Sequence, residues 1–334
     1  MSIQTRVLGR PGRDNAVLVT LDSGQSVSRL LFDCGAGCLD SLGLSDLLSI
    51  DALFCSHLHM DHVAGFDSFF RANFDRVNRP NRIWGPPGTA RILQHRFQGY
   101  WWNLHYDLDA SWLVTDVYAD RQETFRFELS EAFATAHSEG TTPAVGPLLS
   151  TPEFAVSAIQ LEHNGPSLGY VVREAPRRNL DTSALADHGL RPGPWLQTLK
   201  DKPEILELEI DGEVRNLDEL RRALLVERPG ESAAYLTDFV LNESTIERVA
   251  KAIGGCHTLI CEAQYADRDR ELAVRNSHTT ISSVAKLAAR AEVKELVLFH
   301  LSDRYRLEDW REMLADCRET FSATSFPEAW EDLT

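Results

Sequence analysis

Twelve residues constrain this chain more than any others: Phe54-Cys55-Ser56-His57-Leu58-His59-Met60-Asp61-His62-Val63-Ala64-Gly65. Three of its eleven histidines and an aspartate fall between positions 57 and 62, directly behind the largely apolar run 50–54. An H-x-H-x-D-H arrangement at the end of a buried strand offers imidazole nitrogens and a carboxylate, donors that suit zinc or another first-row divalent ion. His57 and His59 alternate across a turn and can meet one ion. Asp61 and His62 come a step later and can meet a second. A polar loop that is merely rich in histidine would need neither the apolar strand behind it nor the carboxylate within it. Two ions need further ligands, which the rest of the chain must supply.

The bulk properties narrow the class. A chain of 334 residues with 43% apolar and 25% charged residues can bury a large core, as one large domain or two smaller ones. No stretch approaches the roughly 18 apolar residues of a membrane span. The first six residues hold no apolar signal core, so export is not indicated. The cysteines at 34, 38, 55, 256, 261 and 317 form no C-x-x-C pair, which argues against a zinc ribbon and for a reducing cytoplasm. A net charge of −16 excludes a broad basic face for nucleic acid; any such contact would be local.

Strands are expected near 5–9, 16–21, 27–32, 50–54, 154–161, 169–172, 232–236, 258–261 and 296–299, and helices near 39–48, 89–100, 244–253, 277–291 and 307–320. Asp33, His57, His163, Asp238, Glu262 and His300 each follow one of these apolar strands. Six such residues point to one shared edge of a β-sandwich where loops converge. His57, His59, His163 and Asp238 would form one metal position. Asp61, His62 and His300 would form the other, with Asp238 bridging. Asp33, at a strand tip followed by glycines, could orient a ligand by hydrogen bonding. Residues 101–152 read as an aromatic-rich insertion with Trp101, Trp102 and Trp112; its His105 and His137 read as ordinary residues. Residues 174–230, punctuated by Pro176, Pro192, Gly193 and Pro194, read as an inserted arm; from 173 to 230 ten Lys/Arg stand against twelve Asp/Glu, the least acidic part of the chain.

The metal loop resembles that of the metallo-β-lactamase superfamily. Cys261-Glu262-Ala263-Gln264-Tyr265, Ser277-His278-Thr279-Thr280 and the run from Leu298 to Tyr305 resemble its ribonuclease Z branch, the tRNA 3′-processing endonucleases. So do Gly85-Pro86-Pro87-Gly88 and the Gly-Pro motif Gly189-Leu190-Arg191-Pro192-Gly193-Pro194. The resemblance implies an α/β fold, the αβ/βα four-layer sandwich, as a single domain over 1–334 with an exosite-like arm at 174–230. It implies two divalent ions, zinc in the first place with manganese or iron acceptable, held by His57, His59, Asp61, His62, His163, Asp238 and His300. It implies a hydrolase that cleaves precursor tRNA after the discriminator base with a hydroxide held by the metal pair. Glu262 and His278 match the pair that protonates the leaving oxygen, and Asp61 matches a ligand that also accepts a proton. A cytoplasmic homodimer with RNA as partner completes the expectation.

The sequence departs from that branch around the ligands, not at them. Asp14 stands where Arg is usual, Gly35-Ala36-Gly37 replaces Gly-Glu-Gly, Phe66-Asp67-Ser68-Phe69 follows His62 in place of Leu-Pro-Gly-Leu, and Thr237-Asp238-Phe239 replaces Gly-Asp-Thr. An alternative with the same chemistry is therefore a phosphodiesterase or esterase that acts on a small non-tRNA substrate.

Overall fold

The computed structural model describes residues 2–330. The first half of the chain builds an eight-stranded mixed sheet whose strands lie in sequence order: β1 (Ser2–Gly9), β2 (Asn15–Asp22), β3 (Val27–Phe32), β4 (Ala52–Phe54), β5 (Asn81–Gly85), β6 (Ser111–Val117), β7 (Arg121–Glu128) and β8 (His137–Pro143). β3 to β6 are parallel, so each link needs a crossover. These are supplied by α1 (Leu44–Ser49), by α2 (Met60–Val63) with α3 (Phe66–Asn73), and by α4 (Thr89–Phe97). A second sheet opens with β9 (Leu149–Ser150), β10 (Phe154–His163) and β11 (Gly165–Glu174).

The chain then leaves for a separate compact unit over residues 174–230. It contains β12 (Arg177–Leu180), α5 (Thr182–Asp187), α6 (Trp195–Asp201), β13 (Glu207–Ile210), β14 (Glu213–Asn216), α7 (Leu217–Leu224) and β15 (Leu225–Arg228). Leu185, Leu199, Ile210, Leu217 and Leu224 form its own core. The second sheet resumes with β16 (Ser232–Leu236), β17 (Thr258–Glu262), β18 (Glu295–Phe299) and β19 (Thr324–Ser325), all parallel. α8 (Glu243–Ile253), α9 (Arg270–Arg275), α10 (Ile281–Arg290) and α11 (Leu307–Thr320) make these crossovers.

Period-two alternation sorts the strands' side chains into layers. In β3 and β4, Leu30, Phe32, Ala52 and Phe54 enter the core between the sheets, while Leu31 and Leu53 point the other way, onto the helices. Phe54 stacks on Phe32 at 5.1 Å and meets Tyr170 of the facing sheet at 5.3 Å edge-on. Phe66, Phe69 and Phe70 of α3 and Leu93 and Phe97 of α4 cover the outer face of the first sheet. Val249 and Ile253 of α8 and Val284, Leu287 and Ala288 of α10 cover the second. The result is a helix–sheet–sheet–helix sandwich, the α/β class expected.

Three local readings differ. The expected helix over 277–291 begins only at Ile281; Ser277 sits at φ 60°, and His278 lies in the turn before the helix. The expected helix over 39–48 is a 3₁₀ turn (Cys38–Ser41) followed by α1. The stretch 101–152, read as an aromatic-rich insertion, contributes β6, β7 and β8 to the main sheet. Its strands were masked by charge. On β7 only Phe125 and Phe127 are apolar, on the same face as Arg121 and Glu123; Gln122, Thr124, Arg126 and Glu128 line the other face, where cross-strand pairs such as Arg126–Glu139 at 2.7 Å replace apolar burial.

Candidate metal centre

The ligand loop is held by close backbone approach. Cys34 N donates to His62 O, and Gly65 N donates to Cys34 O, both at 2.8 Å. A Cβ on Gly65 would lie 2.2 Å from Gly35 O, and one on Gly35 would lie 2.3 Å from Asp61 O, so neither position has room for a side chain. Asp33, Asp238 and His300 each follow a strand and take positive φ, 56°, 51° and 51°. Non-glycine residues rarely hold this left-handed conformation, and it concentrates at functional sites.

The segment after β4 and the ends of β10, β16 and β18 bring seven side chains into one place, with His278 beside them. Ligating atoms of His57, His59 and His163 lie within 4.8 Å of one another, as do those of His57, His62 and Asp238, those of Asp61, His62 and His300, and those of Asp238, His278 and His300. Asp238 lies at the middle. Its Oδ1 is 3.9 Å from His57 Nε2 and from His163 Nε2; its Oδ2 is 3.1 Å from His62 Nε2 and 3.7 Å from His300 Nδ1. Asp61 Oδ2 lies 3.4 Å from His62 Nε2 and 3.6 Å from His300 Nε2.

Hydrogen bonds behind the rings determine which nitrogen faces inward. His163 Nδ1 faces the carbonyl of Ser277 at 2.9 Å, an acceptor only, so Nδ1 carries the hydrogen and Nε2 the lone pair. His62 Nδ1 donates to Asp33 Oδ2 at 2.8 Å, so Nε2 is its inward-facing nitrogen. His57 Nε2 is buried with no hydrogen-bond partner among the described residues, and His62 Nε2 faces only carboxylates, Asp238 Oδ2 at 3.1 Å and Asp61 Oδ2 at 3.4 Å. Inward ring nitrogens, one of them orphaned, beside two carboxylates fit divalent cations of the zinc type.

The charges in the centre are strongly coupled. Burial opposes ionisation of Asp238, yet His300 and His62 hold its carboxyl well below the usual range. Asp61 is held down by His300 and His62 against its own burial. Burial disfavours a charged His300, but Asp238 and Asp61 push it up to about 10. Burial and the nearby His62 push His57 down to about 3. Beside this cluster, His278 Nδ1 meets Glu262 Oε2 at 2.8 Å and Asp238 Oδ1 at 3.6 Å. Burial disfavours the charged ring, but Glu262 outweighs it and raises the imidazole above its ordinary value. Phe239 N donates to Glu262 Oε1 at 2.9 Å and fixes the other end of that carboxylate.

Every residue named from the sequence as a ligand or proton-transfer group thus lies in this cluster. His105 is buried in the loop before β6, and His137 bonds Glu131 at 2.8 Å. Sequence reasoning missed Ser56, Tyr235, Thr237 and Gln264. Thr237 Oγ1 donates to Asp238 Oδ2 at 2.6 Å, and the Gln264 amide lies 3.3 Å from His300 Nδ1. A hydroxyl inside a wholly buried strand, such as that of Tyr235, needs a polar partner, and that was the available signal.

Comparison with known proteins agrees with this geometry. A family model described as a beta-lactamase superfamily domain matches residues 28–180. A protein of Deinococcus radiodurans named ribonuclease Z is 54% identical over 328 residues, 98% of each chain. Among solved structures, the metallo-beta-lactamase fold protein YhfI from Bacillus subtilis superposes with TM-score 0.55 at 17% identity, covering 97% of this chain and 95% of that one. The short form of human tRNase Z superposes with TM-score 0.53, also at 17% identity, covering 98% and 95%. The two superpositions speak for the shared fold, and the extended sequence identity goes further: this chain belongs to the ribonuclease Z family of the beta-lactamase superfamily.

Proposed function

We propose that this protein is a metal-dependent endoribonuclease of the ribonuclease Z type that hydrolyses one phosphodiester of precursor tRNA to remove the 3′ trailer. The observation that carries this reading is Asp238, whose two oxygens face different imidazoles while the His278–Glu262 pair stands against the same carboxylate. On this reading His57, His59 and His163 would hold one ion and Asp61, His62 and His300 another, with Asp238 a ligand available to both. When bound, two such ions supply Lewis acidity at the phosphate and lower the pKa of water towards neutrality. The nitrogen-rich donor set suits zinc, and manganese or iron would be accepted by the same side chains.

The chain's own groups carry the protons. His278 commits Nδ1 to Glu262, so its Nε2–H is left to protonate the departing oxygen, and its raised pKa keeps that hydrogen in place near neutral pH. Asp61 is partly exposed, and its lowered pKa keeps it ionised, so it can accept a proton from attacking water. Residues 174–230 are read as an element that grips tRNA. Family membership supports a homodimer, which sedimentation equilibrium would test. Six buried, unpaired cysteines support a reducing, cytoplasmic location, which fractionation would test.

The decisive experiment offers the metal-loaded protein a precursor tRNA with a 3′ trailer alongside bis(p-nitrophenyl) phosphate. Trailer release at a single position is expected. Hydrolysis of the small ester alone would replace this reading with the small-substrate phosphodiesterase, which the net charge of −16 favours.

A further inference from the structure

Two buried hydroxyls stand behind the centre. Ser56 Oγ and Tyr235 Oη both donate to Asp33 Oδ2, each at 2.6 Å, beside His62 Nδ1 at 2.8 Å. Ser56 N holds the other oxygen, Oδ1, at 2.6 Å. All four residues are buried. A serine hydroxyl has one hydrogen, and Ser56 gives it to Asp33. Towards His57 Nδ1, 3.1 Å away, its oxygen can therefore only accept. His57 Nδ1 must then carry the ring hydrogen, leaving the lone pair on Nε2, the atom that faces Asp238. One carboxylate thus sets two rings, His62 directly and His57 through Ser56. Tyr235 reaches it from the facing sheet and lies three residues before Asp238 on the same strand end, so its hydroxyl ties the carboxylate that aims His62 to the strand that delivers Asp238.

We propose that Ser56 and Tyr235 are positioning residues of the centre: with Asp33 they form one buried hydrogen-bond chain that fixes the tautomers of His57 and His62, one imidazole in each half of the site. The inference rests on the two-ion reading above. It predicts that neither hydroxyl touches substrate, and that each acts on how a ring presents its lone pair.

The test uses the full-length metal-free protein, with zinc as the probe and ¹⁵N-histidine NMR to report ring tautomers. In the parent protein both rings should show hydrogen on Nδ1, and two zinc ions should bind. Ser56→Ala should leave His57 as a mixture of tautomers and weaken zinc about 10-fold or more in its half, with the His62 signal unchanged. Tyr235→Phe should weaken zinc by about 10-fold in the His62 half, with the protein still folded. Parent-like tautomers and zinc affinities in both variants would overturn the inference and leave the two-ion reading intact. A fall in melting temperature with unchanged tautomers would also overturn it, since a purely structural role predicts that. Failure of the parent protein to bind two zinc ions would instead overturn the two-ion reading itself.

Discussion

Asp238 stands between the imidazoles of both halves of the site, so its loss should act on both at once. Asp238→Ala is expected to lose both ions by elemental analysis and to abolish cleavage, and His57→Ala should lose metal and activity as well. His278→Ala should keep its metal, because His278 lies in the turn before α10 with its Nδ1 on Glu262, and yet lose about 10²-fold or more in turnover. Undiminished turnover in that variant would remove its role as proton donor. The histidines also differ in what they release. In the metal-free protein His300 is pushed up to about 10, above its ordinary 6.5, so its contribution to stability is complete below about pH 6.5 and is lost as pH climbs through about 10. Melting temperatures of chelator-treated protein should fall over that window. Binding an ion at His300 must displace its proton, whereas His57, pushed down to about 3, has none to lose at neutral pH. Calorimetry in buffers of different ionisation enthalpy should find proton release when an ion binds the half that holds His300.

At the scale of elements, the site depends on the loop after β3 and the joint between α2 and α3, pressed backbone to backbone at Gly35 and Gly65. Gly65→Ala would place a methyl 2.2 Å from Gly35 O, so the loop must shift; a destabilisation of about 1–3 kcal/mol and a reduced metal content are expected, by thermal melting and elemental analysis. The same elements show what was legible beforehand. Ligands were legible because the 57–62 cluster, His163, Asp238 and His300 each follow an apolar run, and charged or imidazole residues in that position have few other uses. The second sheet was legible for the same reason, since strands such as 258–261 and 296–299 are apolar throughout. β7 was not, because ion pairs and threonine contacts such as Thr115–Thr124 at 2.9 Å cover its open face. The turn holding His278 was missed because Ser277 takes a left-handed conformation that serine does not advertise. Ser56, Tyr235 and Thr237 were missed because a hydroxyl's partner is set by tertiary contact across 202 residues in one case, and no spacing records it.

At the scale of the whole molecule, the inserted unit has its own leucine-rich core, and the strands that flank it are paired without it. Arg173 of β11 lies opposite Ser232 of β16 in an antiparallel ladder, so an Asn-Gly pair can replace residues 174–230 and, with Glu231, close the ladder by a three-residue loop. The shortened protein is expected to fold, to keep its metal and to hydrolyse bis(p-nitrophenyl) phosphate at a rate near that of the parent, while precursor-tRNA cleavage falls far more; equal loss on both substrates would end the tRNA-gripping reading. The left-handed backbone at Asp33, Asp238 and His300 has a consequence for engineering the rest of the sandwich. At each of these positions glycine would relax the main chain and abolish the chemistry. Selection for heat resistance alone should therefore drift towards inert variants exactly where the catalyst is made, and screens for a hardier enzyme should hold these three positions constant and seek their gains in the outer helices.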